Sequence, residues 1–333
     1  MLPASSAEPV TDPLTGEAEL QLDVSIILPV YNEAAHLVQE VERVRKAMDA
    51  SPYSYEIIVV DDGSTDNSAK VAAGIEGIRF LHFLQNRGSG SARKAGTKAA
   101  RGRVTVWTDV DMTYPNDTIP KLVAELDGYD QVVGARTSEE GTHKALRVPA
   151  KWLIRKLAEF LTATKIPDLN SGFRAFRTDV ARQYLNQLPP GFSCVTTITM
   201  TFLANGYSVK YMPIDYAKRA GESKFHWYKD TRRYATQVVR MILSYNPLRI
   251  FMPIGLALTV IGCVKLIVDV IGMNFHVAAD TLLILFAAFQ VIAIGLLADL
   301  VTRATRSRSE LPPATAGMRV AQTRPATPAS VRS

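Results

Sequence analysis

The chain has 333 residues, of which 47% are hydrophobic, and a formal net charge of +6; this composition supplies a sizeable core and excludes a wholly disordered or collagen-like protein. The sequence has two cysteines, Cys194 and Cys263, too few for a disulfide scaffold or for a zinc site built from several Cys and His ligands. The charge is unevenly distributed, since residues 1–23 carry −5, residues 218–249 carry +6 and residues 303–333 carry +5.

An acidic N-terminal tail is predicted over residues 1–23, and an α/β domain is predicted over residues 24–217. In this domain short apolar strands alternate with helical segments, a pattern that predicts right-handed crossovers and a mainly parallel sheet covered on both faces. The predicted strands are residues 24–30, 56–62, 78–83, 104–111 and 131–136. The predicted helices are residues 33–50, 64–73, 89–101 and 115–127.

Polar residues follow every predicted strand. They are Asn32 and Glu33, Asp61 and Asp62, Asn86 and Gly88, Asp109 and Asp111, and Arg136. In sheets of this kind ligands bind beyond the carboxyl ends of the strands. The sequence therefore predicts an active site at that edge of the sheet.

Two carboxylates close the fourth predicted strand. Asp109 and Asp111 are separated by one residue, and carboxylates placed in this way can converge on a hard divalent cation such as Mg²⁺ or Mn²⁺, which prefers oxygen ligands. Beside a nucleoside diphosphate, such a cation neutralises the charge that develops on the leaving group. The alternative is an acidic turn that caps a helix beginning at Pro115.

The turn after the second predicted strand carries three more carboxylates. A carboxylate of Asp61 or Asp62 can hold donors on a base or a ribose. Asp66 is interpreted as a helix cap, and Ser64 or Thr65 is predicted to be the N-cap of the following helix.

A third junction, residues 86–94, combines small residues with bases. This composition suits phosphate binding by exposed N–H groups at a helix N-terminus. The histidines in and around the domain have no second His or Cys at a metal-ligand spacing. Three of them, His36, His82 and His226, are therefore interpreted as surface or packing residues, and His143 is placed in a polar segment that can cover the site.

The C-terminal third predicts two membrane-spanning helices within residues 250–301. Residues 281–298 are uncharged and long enough, with their flanks, to cross the roughly 30 Å of hydrocarbon. Residues 250–272 are nearly as apolar but contain Lys265 and Asp269, whose i,i+4 spacing allows them to pair on one helix face. The alternative is a buried helical hairpin within a soluble domain.

The charges around these helices predict their orientation. The basic segment 218–249 precedes them, with interfacial helices predicted within residues 225–249, and a basic, disordered tail follows over residues 302–333. The short connection has no Lys or Arg, so the positive-inside rule predicts that both termini and the α/β domain are cytoplasmic. A basic stripe beside apolar segments favours anionic lipid over nucleic acid as its partner.

Together the motifs resemble the family-two glycosyltransferases of GT-A fold. More narrowly they resemble the polyprenyl-phosphate (dolichyl-phosphate) glycosyl synthases, including bacterial members with two C-terminal transmembrane helices. The motifs are PVYNE at 29–33, VVDDGSTD at 59–66, NRGSGSARKAG at 86–96, TDVD at 108–111, VVGAR at 132–136, DLNSGFRAFR at 168–177 and KRAGESK at 218–224. The resemblance spans residues 24–300 and implies a GT-A fold.

The resemblance also implies roles for individual residues. Nucleotide contacts are implied for Pro29, Tyr31, Glu33, Asp61, Asp62 and Gly88. Catalytic roles are implied for Asp109, Asp111 and Asp168, the first two as ligands of Mg²⁺ or Mn²⁺; Ser171 and Arg174 share the site-lining loop of Asp168. Contacts to an acceptor phosphate are implied for Arg136, Arg147, Arg219 and Lys224. Thr113 stands where mannosyl relatives often carry Gln, so the third metal ligand is open.

The implied reaction is the inverting transfer of a hexose from a GDP-mannose or UDP-glucose type donor to polyprenyl phosphate at the cytoplasmic face of the inner membrane, giving a β-linked product. A phosphate monoester carries about −1.5 to −2 charges at neutral pH, so the acceptor is its own nucleophile and needs no general base. The alternatives are a hydroxyl acceptor, such as a glycolipid or polysaccharide, and a noncatalytic membrane scaffold. The expected partners are the nucleotide sugar, the lipid and the membrane, but not nucleic acid; a homo-oligomer is left open.

Overall fold

The computed structural model describes residues 9–11, 18–20, 22–137, 156, 159, 164–217, 247–272 and 277–306. The strands are β1 (Pro9–Thr11), β2 (Ala18–Leu20), β3 (Leu22–Val30), β4 (Tyr55–Asp61), β5 (Arg79–His82), β6 (Gly102–Trp107), β7 (Gln131–Arg136), β8 (Arg174–Arg177) and β9 (Val209–Ile214). The helices are α1 (Ala34–Asp49), α2 (Ser68–Ala73), α3 (Ser89–Ala99), α4 (Ile119–Ala124), α5 (Thr178–Tyr184), α6 (Ser193–Ala204), α7 (Leu248–Gly272) and α8 (Ala279–Arg306).

The α/β domain is built on a seven-stranded sheet of order β5-β4-β3-β6-β8-β7-β9. Strands β3, β4, β5 and β6 pair in parallel, as do β7 and β9, whereas β8 runs antiparallel to both β6 and β7. The mainly parallel α/β architecture predicted from the sequence is confirmed. Because β8 runs in reverse, its first residue, Arg174, lies at the edge where β6 and β7 end.

The apolar run of β3 supplies both layers of the core. Val24, Ile26 and Leu28 pack with buried residues of α1 and α4. Ile27 points to the opposite face and packs with buried residues of α3, α5 and α6. A strand covered on both faces needs a nearly continuous apolar sequence, which explains why strict alternation is absent from β3.

Two helices begin later than predicted. Helix α2 begins at Ser68 with Asn67 as its N-cap residue, so the prediction of Ser64 or Thr65 as N-cap is wrong. Residues 61–66 instead form a turn in which the Ser64 N–H donates to Asp61 Oδ2 at 3.1 Å. The helix-cap interpretation of Asp66 is confirmed, because its carboxylate accepts from the Ser68 N–H at 2.9 Å.

The second of these helices, predicted over residues 115–127, consists of a 3₁₀ turn followed by a short α-helix. A 3₁₀ turn at Asn116–Thr118 precedes α4, which begins at Ile119 and carries a proline in its first turn. Proline fits the first turn of a helix because the N–H that it lacks has no partner there. The turn positions Asn116 beside the backbone of Asp109.

Helices α7 and α8 form an antiparallel hairpin. A Cβ built on Gly255 would lie 2.4 Å from Ile292 Cγ1, and one on Gly262 would lie 2.6 Å from Leu285 Cδ2, so glycines let the two helices approach closely. Mean hydropathies are 2.3 and 2.5, and 17% of each apolar window is buried. A soluble core would cover these surfaces. The hairpin therefore has the length and exposed apolar surface of a membrane-spanning unit, as predicted.

A polar cluster lies at the connected end of the hairpin. Lys265 Nζ is 3.5 Å from Asp269 Oδ1 and 3.1 Å from Asp280, so the predicted i,i+4 pair is present and recruits a second carboxylate from α8. Asp269 also accepts hydrogen bonds from the Thr281 hydroxyl and from the Ala278 N–H. These contacts fix the end of α7 against the start of α8.

Candidate active site

The turns after β3 and β4 are joined by Asn32. Its backbone has φ of 56°, a left-handed conformation that asparagine tolerates better than most residues. Its side-chain Oδ1 accepts from the Thr65 N–H at 2.8 Å, and its own N–H donates to Ser64 Oγ at 3.0 Å. The next N–H, that of Glu33, donates to Ser68 Oγ at 2.9 Å. These bonds form the floor of the predicted nucleotide site, where Glu33 is half-buried.

Two other predicted nucleotide contacts, Pro29 and Tyr31, are also half-buried, at the end of β3 and directly after it. Their position at the carboxyl edge agrees with the predicted site. Their contacts with a nucleotide stay predictions.

Asp61 ends β4 and is fully buried. Its Oδ2 lies 2.8 Å from His82 Nδ1, while its Oδ1 is buried without a hydrogen-bond partner in the part of the chain that the structure describes. Sequence reasoning missed this role of His82, which was interpreted as a surface or packing residue. The signal was its place at the end of β5, where it pairs with Asp61 across the sheet.

Asp62 is held by the loop that follows β5. Its Oδ1 accepts from the Arg87 N–H at 2.8 Å. Burial raises the pKa of Asp62, and the hydrogen bonds from the Arg87 and Gly88 backbones only partly oppose this. Gly63 has φ of 68°, and a Cβ there would lie 2.4 Å from the Gln85 carbonyl carbon, so both conformation and space require glycine.

The glycine-rich start of α3 is covered by the loop before α6. A Cβ on Gly88 would lie 2.5 Å from the Pro190 carbonyl oxygen, and one on Gly90 would lie 2.4 Å from the Pro189 carbonyl oxygen. The Ser91 N–H donates to the Pro190 carbonyl at 3.0 Å. Close packing against the loop before α6 therefore requires glycine at these two positions. The predicted phosphate contact at Gly88 stays a prediction.

Asp109 follows β6 and forms an ion pair with Arg93 of α3. The Asp109 side chain is 27% exposed, whereas the Arg93 side chain is 1% exposed. The Asp109 carbonyl also accepts from Asn116 Nδ2 at 3.2 Å, and Asn116 contacts the buried Glu40 carboxylate and the Thr108 hydroxyl. The backbone and side chain of Asp109 are therefore both fixed: the side chain by Arg93, which lies in the motif at 86–96 but was predicted only to suit phosphate, and the backbone by Asn116, which no motif had indicated.

Asp111 lies in a local turn. Met112 has φ of 64°, and both the N–H and the hydroxyl of Thr113 donate to Asp111 Oδ1. Thr113 is buried, so it supports Asp111 from the protein side. Among the described residues, this site included, no group of three or more His, Cys, Asp or Glu side chains is arranged to hold a metal ion. The two carboxylates fit a cation that takes its remaining ligands from a diphosphate and water.

Arg136 ends β7 and binds Asp168 with two parallel hydrogen bonds. Its Nε and Nη2 donate to the Asp168 carboxylate at 2.6 and 3.0 Å, and its guanidinium lies 5.2 Å from the centre of the Tyr216 ring. Burial alone would raise the pKa of Asp168, but the hydrogen bonds and charge of Arg136 outweigh it and hold the pKa below its usual value. Asp168 therefore stays ionised and orients Arg136.

Arg174 is fully buried and binds no carboxylate among the hydrogen bonds of the described residues. It donates to the Ser171 carbonyl, the Val195 carbonyl and the Thr199 hydroxyl. Burial lowers the pKa of Arg174 to about 10. Its contacts attach the loop containing Asp168 to α6, so Arg174 supports that loop from within the protein core.

Three residues predicted to contact the acceptor phosphate, Arg147, Arg219 and Lys224, lie outside the described residues. His143, His226 and most of the predicted interfacial segment 225–249 lie outside them as well. Their roles stay predictions.

The family described as "Glycosyl transferase family 2" matches residues 25–185, and "GtrB C-terminal hairpin" matches residues 246–304. An undecaprenyl-phosphate 4-deoxy-4-formamido-L-arabinose transferase of Enterobacter sp. (strain 638) is 32% identical over 299 residues, covering 84% of this chain and 88% of the relative. The chain belongs to glycosyl transferase family 2. A transferase of the same description from Pseudomonas fluorescens (strain SBW25) is 31% identical over 301 residues, with 84% of each chain covered.

A solved structure agrees with the fold of this family-2 glycosyltransferase. Glucosyl-3-phosphoglycerate synthase from Mycobacterium tuberculosis, in complex with Mn²⁺, UDP and glucosyl-3-phosphoglycerate, superposes with a TM-score of 0.54 at 20% identity. The likeness covers 66% of this chain and 80% of that chain. This likeness confirms the GT-A fold. The match to the GtrB C-terminal hairpin over residues 246–304 corresponds to the hairpin of α7 and α8.

Proposed function

We propose that this family-2 glycosyltransferase moves a sugar from a nucleotide sugar to polyprenyl phosphate at the membrane surface. The observation that carries the proposal is the extent of the match to undecaprenyl-phosphate transferases, which covers 84% of the chain. A match of 299 residues is longer than the catalytic domain, so it reaches into the membrane region that would hold the enzyme beside its lipid.

The donor is proposed to bind at the ends of β3, β4 and β6. Asp62 is proposed to accept hydrogen bonds from donors on the nucleoside, and the buried Asp61 is proposed to support it. Asp109 and Asp111 would hold Mg²⁺ or Mn²⁺ on the donor diphosphate. When bound, the cation supplies charge neutralisation for the departing diphosphate. The oxygen donor set at Asp109 and Asp111 supports this use.

The acceptor phosphate is proposed to bind at Arg136, with Arg147, Arg219 and Lys224 as further basic contacts. A guanidinium presents its N–H donors in a planar fork that matches the oxygens of a phosphate as well as those of a carboxylate. The Asp168 carboxylate orients the guanidinium before the lipid arrives. Such preorganisation supports in-line placement of the phosphate oxygen against the anomeric carbon.

The proposed transfer is a single displacement. A phosphate oxygen bonds to the anomeric carbon while the bond from that carbon to the diphosphate oxygen breaks, and its electron pair leaves with the nucleoside diphosphate. The configuration inverts, which gives a β-linked polyprenyl-phosphate sugar. The acceptor is already ionised, with about −1.5 to −2 charges at neutral pH, so no side chain must remove a proton. The ion pair of Asp168, which makes it a weak base, is consistent with this route.

We also propose the class of the donor sugar and the orientation of the chain in the membrane. A hexose donor of the GDP-mannose or UDP-glucose type is the prediction, whereas the relatives are described as transferring a formamido-arabinose. The catalytic domain and both termini are proposed to be cytoplasmic, at the inner membrane, because basic residues flank the hairpin and its connection has none.

The test uses the full chain in detergent with labelled GDP-mannose, UDP-glucose, UDP-N-acetylglucosamine and UDP-4-deoxy-4-formamido-L-arabinose. Each donor is offered with undecaprenyl phosphate or with diacylglycerol, in the presence of Mn²⁺. We expect label in the undecaprenyl product, and none after Asp111→Ala, which should remain folded. Label confined to diacylglycerol would establish the hydroxyl-acceptor alternative. Biological function that survives Asp111→Ala would establish the noncatalytic alternative.

A further inference from the structure

Two loops, residues 83–88 after β5 and residues 188–192 before α6, carry the most exposed large apolar side chains of the described α/β domain; we call them the edge loops. Leu84 is 91% exposed and Phe192 is 75% exposed, whereas no other large apolar side chain of the described α/β domain exceeds the 49% of Val38. Single exposed apolar residues are common on protein surfaces. The two side chains therefore indicate a function only if they belong to one surface.

The edge loops contact each other. A Cβ built on Gly88 would lie 2.5 Å from the Pro190 carbonyl oxygen, so the end of the first loop touches the second loop two residues before Phe192. Lys94 Nζ donates to the Leu188 carbonyl at 2.9 Å and joins the same two segments a second time. The two exposed apolar side chains thus stand on adjoining loops of one surface, at the edge where the parallel strand β5 ends.

The charge of the edge loops is basic. Arg87 is exposed, and its guanidinium lies 5.1 Å from the centre of the Phe83 ring. Neither loop contains Asp or Glu. Exposed apolar side chains beside an arginine suit the interface of an anionic bilayer, because the apolar groups enter the acyl boundary while the cation stays among the lipid phosphates.

The bilayer is also the partner that this edge of the sheet can reach. The hairpin of α7 and α8 has the length and exposed apolar surface of a membrane-spanning unit, so the α/β domain stays tethered close to lipid. Arg136 ends β7 at the same carboxyl edge as the edge loops. On this step the inference rests on the proposed function, since an edge that receives a lipid phosphate at Arg136 must face the headgroups.

We propose that the edge loops dock the α/β domain on an anionic bilayer, with Leu84 and Phe192 inserted at the acyl boundary and Arg87 among the lipid phosphates. This contact belongs to the α/β domain itself and adds to the attachment through the hairpin. It holds the carboxyl edge against the headgroups and raises the effective concentration of the lipid acceptor at the site.

The first test measures the depth of the edge loops in the membrane. The full chain carries Cys263→Ser, which removes the exposed cysteine, while the buried Cys194 stays. Leu84→Cys and Phe192→Cys are labelled with the fluorophore NBD, and the protein is placed in nanodiscs of phosphatidylglycerol and phosphatidylethanolamine. Tyr129→Cys is the matched control, because Tyr129 is an exposed side chain directly before β7, at the opposite edge of the sheet.

Spin-labelled lipid, with its nitroxide near the headgroup end of the acyl chain, should quench NBD at positions 84 and 192. The emission at position 129 should keep the value that it has without quencher. Equal emission at all three positions with quencher present would overturn the inference. A blue-shifted emission at 84 and 192 that lipid does not quench would also overturn it, because a protein surface would then cover the edge loops.

The second test measures transfer with the double variant Leu84→Ser/Phe192→Ser in vesicles of the same lipids. We expect the KM for undecaprenyl phosphate to rise about tenfold, since burial of an apolar side chain favours an association by at least this factor. The KM for the donor and kcat should stay at parental values, as should all parameters with geranyl phosphate in detergent. Tyr129→Ser should match the parent throughout, and melting temperatures establish that each variant is folded. An unchanged KM for undecaprenyl phosphate in the double variant would contradict docking by the edge loops.

Failure of the proposed function gives a different result. If no donor transfers sugar to undecaprenyl phosphate in the parent, the proposed function is wrong, whereas quenching at positions 84 and 192 would still establish docking. If the parent transfers sugar but neither label is quenched by lipid, docking is wrong and the proposed function stands.

Discussion

At the residue scale, the pair of Arg136 and Asp168 contributes to the stability of the fold and also belongs to the proposed acceptor site. Both side chains are largely buried, at 14% and 9% exposure, and they share two hydrogen bonds. Removing one partner of such a pair leaves the other charge buried, which is more destabilising than the loss of an exposed ion pair. The carboxylate that orients Arg136 is therefore also a determinant of the fold.

We predict that Asp168→Asn lowers the free energy of unfolding at pH 7 by about 3 kcal/mol, as expected for a broken buried pair. The folded pKa of Asp168 lies below its ordinary value of 3.8. Its stabilising contribution is therefore complete above pH 3.8 and is lost as the pH falls through the lower folded pKa. Urea unfolding in detergent, followed by tryptophan fluorescence, measures the difference between parent and variant across this range.

The matched control is Asp179→Asn, which breaks the exposed pair between Arg177 and Asp179. Its effect should be below about 1 kcal/mol because exposed ion pairs contribute little. If the difference between the parent and Asp168→Asn instead began to shrink near neutral pH, the low pKa of Asp168 would be refuted.

At the element scale, the hairpin of α7 and α8 depends on glycines rather than on apolar attraction. Lipid chains are as apolar as the helix surfaces, so close packing and polar contacts must hold the helices together. Gly255, Gly262 and Gly295 each approach a side chain of the opposite helix. The cluster around Asp269 closes the connected end.

We predict that Gly262→Val separates the helices, because its Cβ alone would lie 2.6 Å from Leu285 Cδ2. Overpacking of this kind costs about 1–3 kcal/mol. The melting temperature in detergent should fall, and Leu285→Ala should restore part of it by making room. Gly272→Val is the control, since no atom lies within 4 Å of a Cβ at that position. Equal effects of the two valine variants would contradict the packing argument.

At the scale of the whole molecule, a soluble sheet domain is joined to a hairpin that places it beside a lipid phase. Asp109, Asp111 and Arg136, the residues proposed to serve the donor and the acceptor, lie at the same edge of the sheet, which suits the proposed reaction between a water-soluble donor and a membrane-bound phosphate. The proposed chemistry then depends on a cation and on no general base.

We predict that a chelator abolishes sugar transfer and that Mn²⁺ or Mg²⁺ restores it, since two carboxylates alone cannot neutralise a departing diphosphate. Melting temperatures with nucleoside diphosphate should rise when Mn²⁺ is added, because a ligand that binds the folded state stabilises it. Asp111→Ala should lose this added shift while its melting temperature without ligand stays near that of the parent. Full turnover in chelator would disprove the metal requirement.

Much of this architecture follows from local sequence patterns. The strands from β3 to β7 are apolar runs bounded by polar turns, and the membrane helices are long apolar segments, so each is readable within its own window. Parallel strands bring their carboxyl ends to one edge, which is why Asp61, Asp109 and Arg136 were placed together correctly. Strand β8 was missed because it is four residues long and antiparallel, and β9 lies beyond the regular alternation.

The sequence by itself determined the fold class, the edge that carries the site, and the hairpin, because periodicity and strand-end chemistry are local properties. Only the tertiary structure decided which charges meet: Arg93 with Asp109, His82 with Asp61, and Arg136 with Asp168. These partners are 16, 21 and 32 residues apart in the chain. Their contacts depend on the order of strands in the sheet and on the reversed direction of β8, which no local pattern encodes.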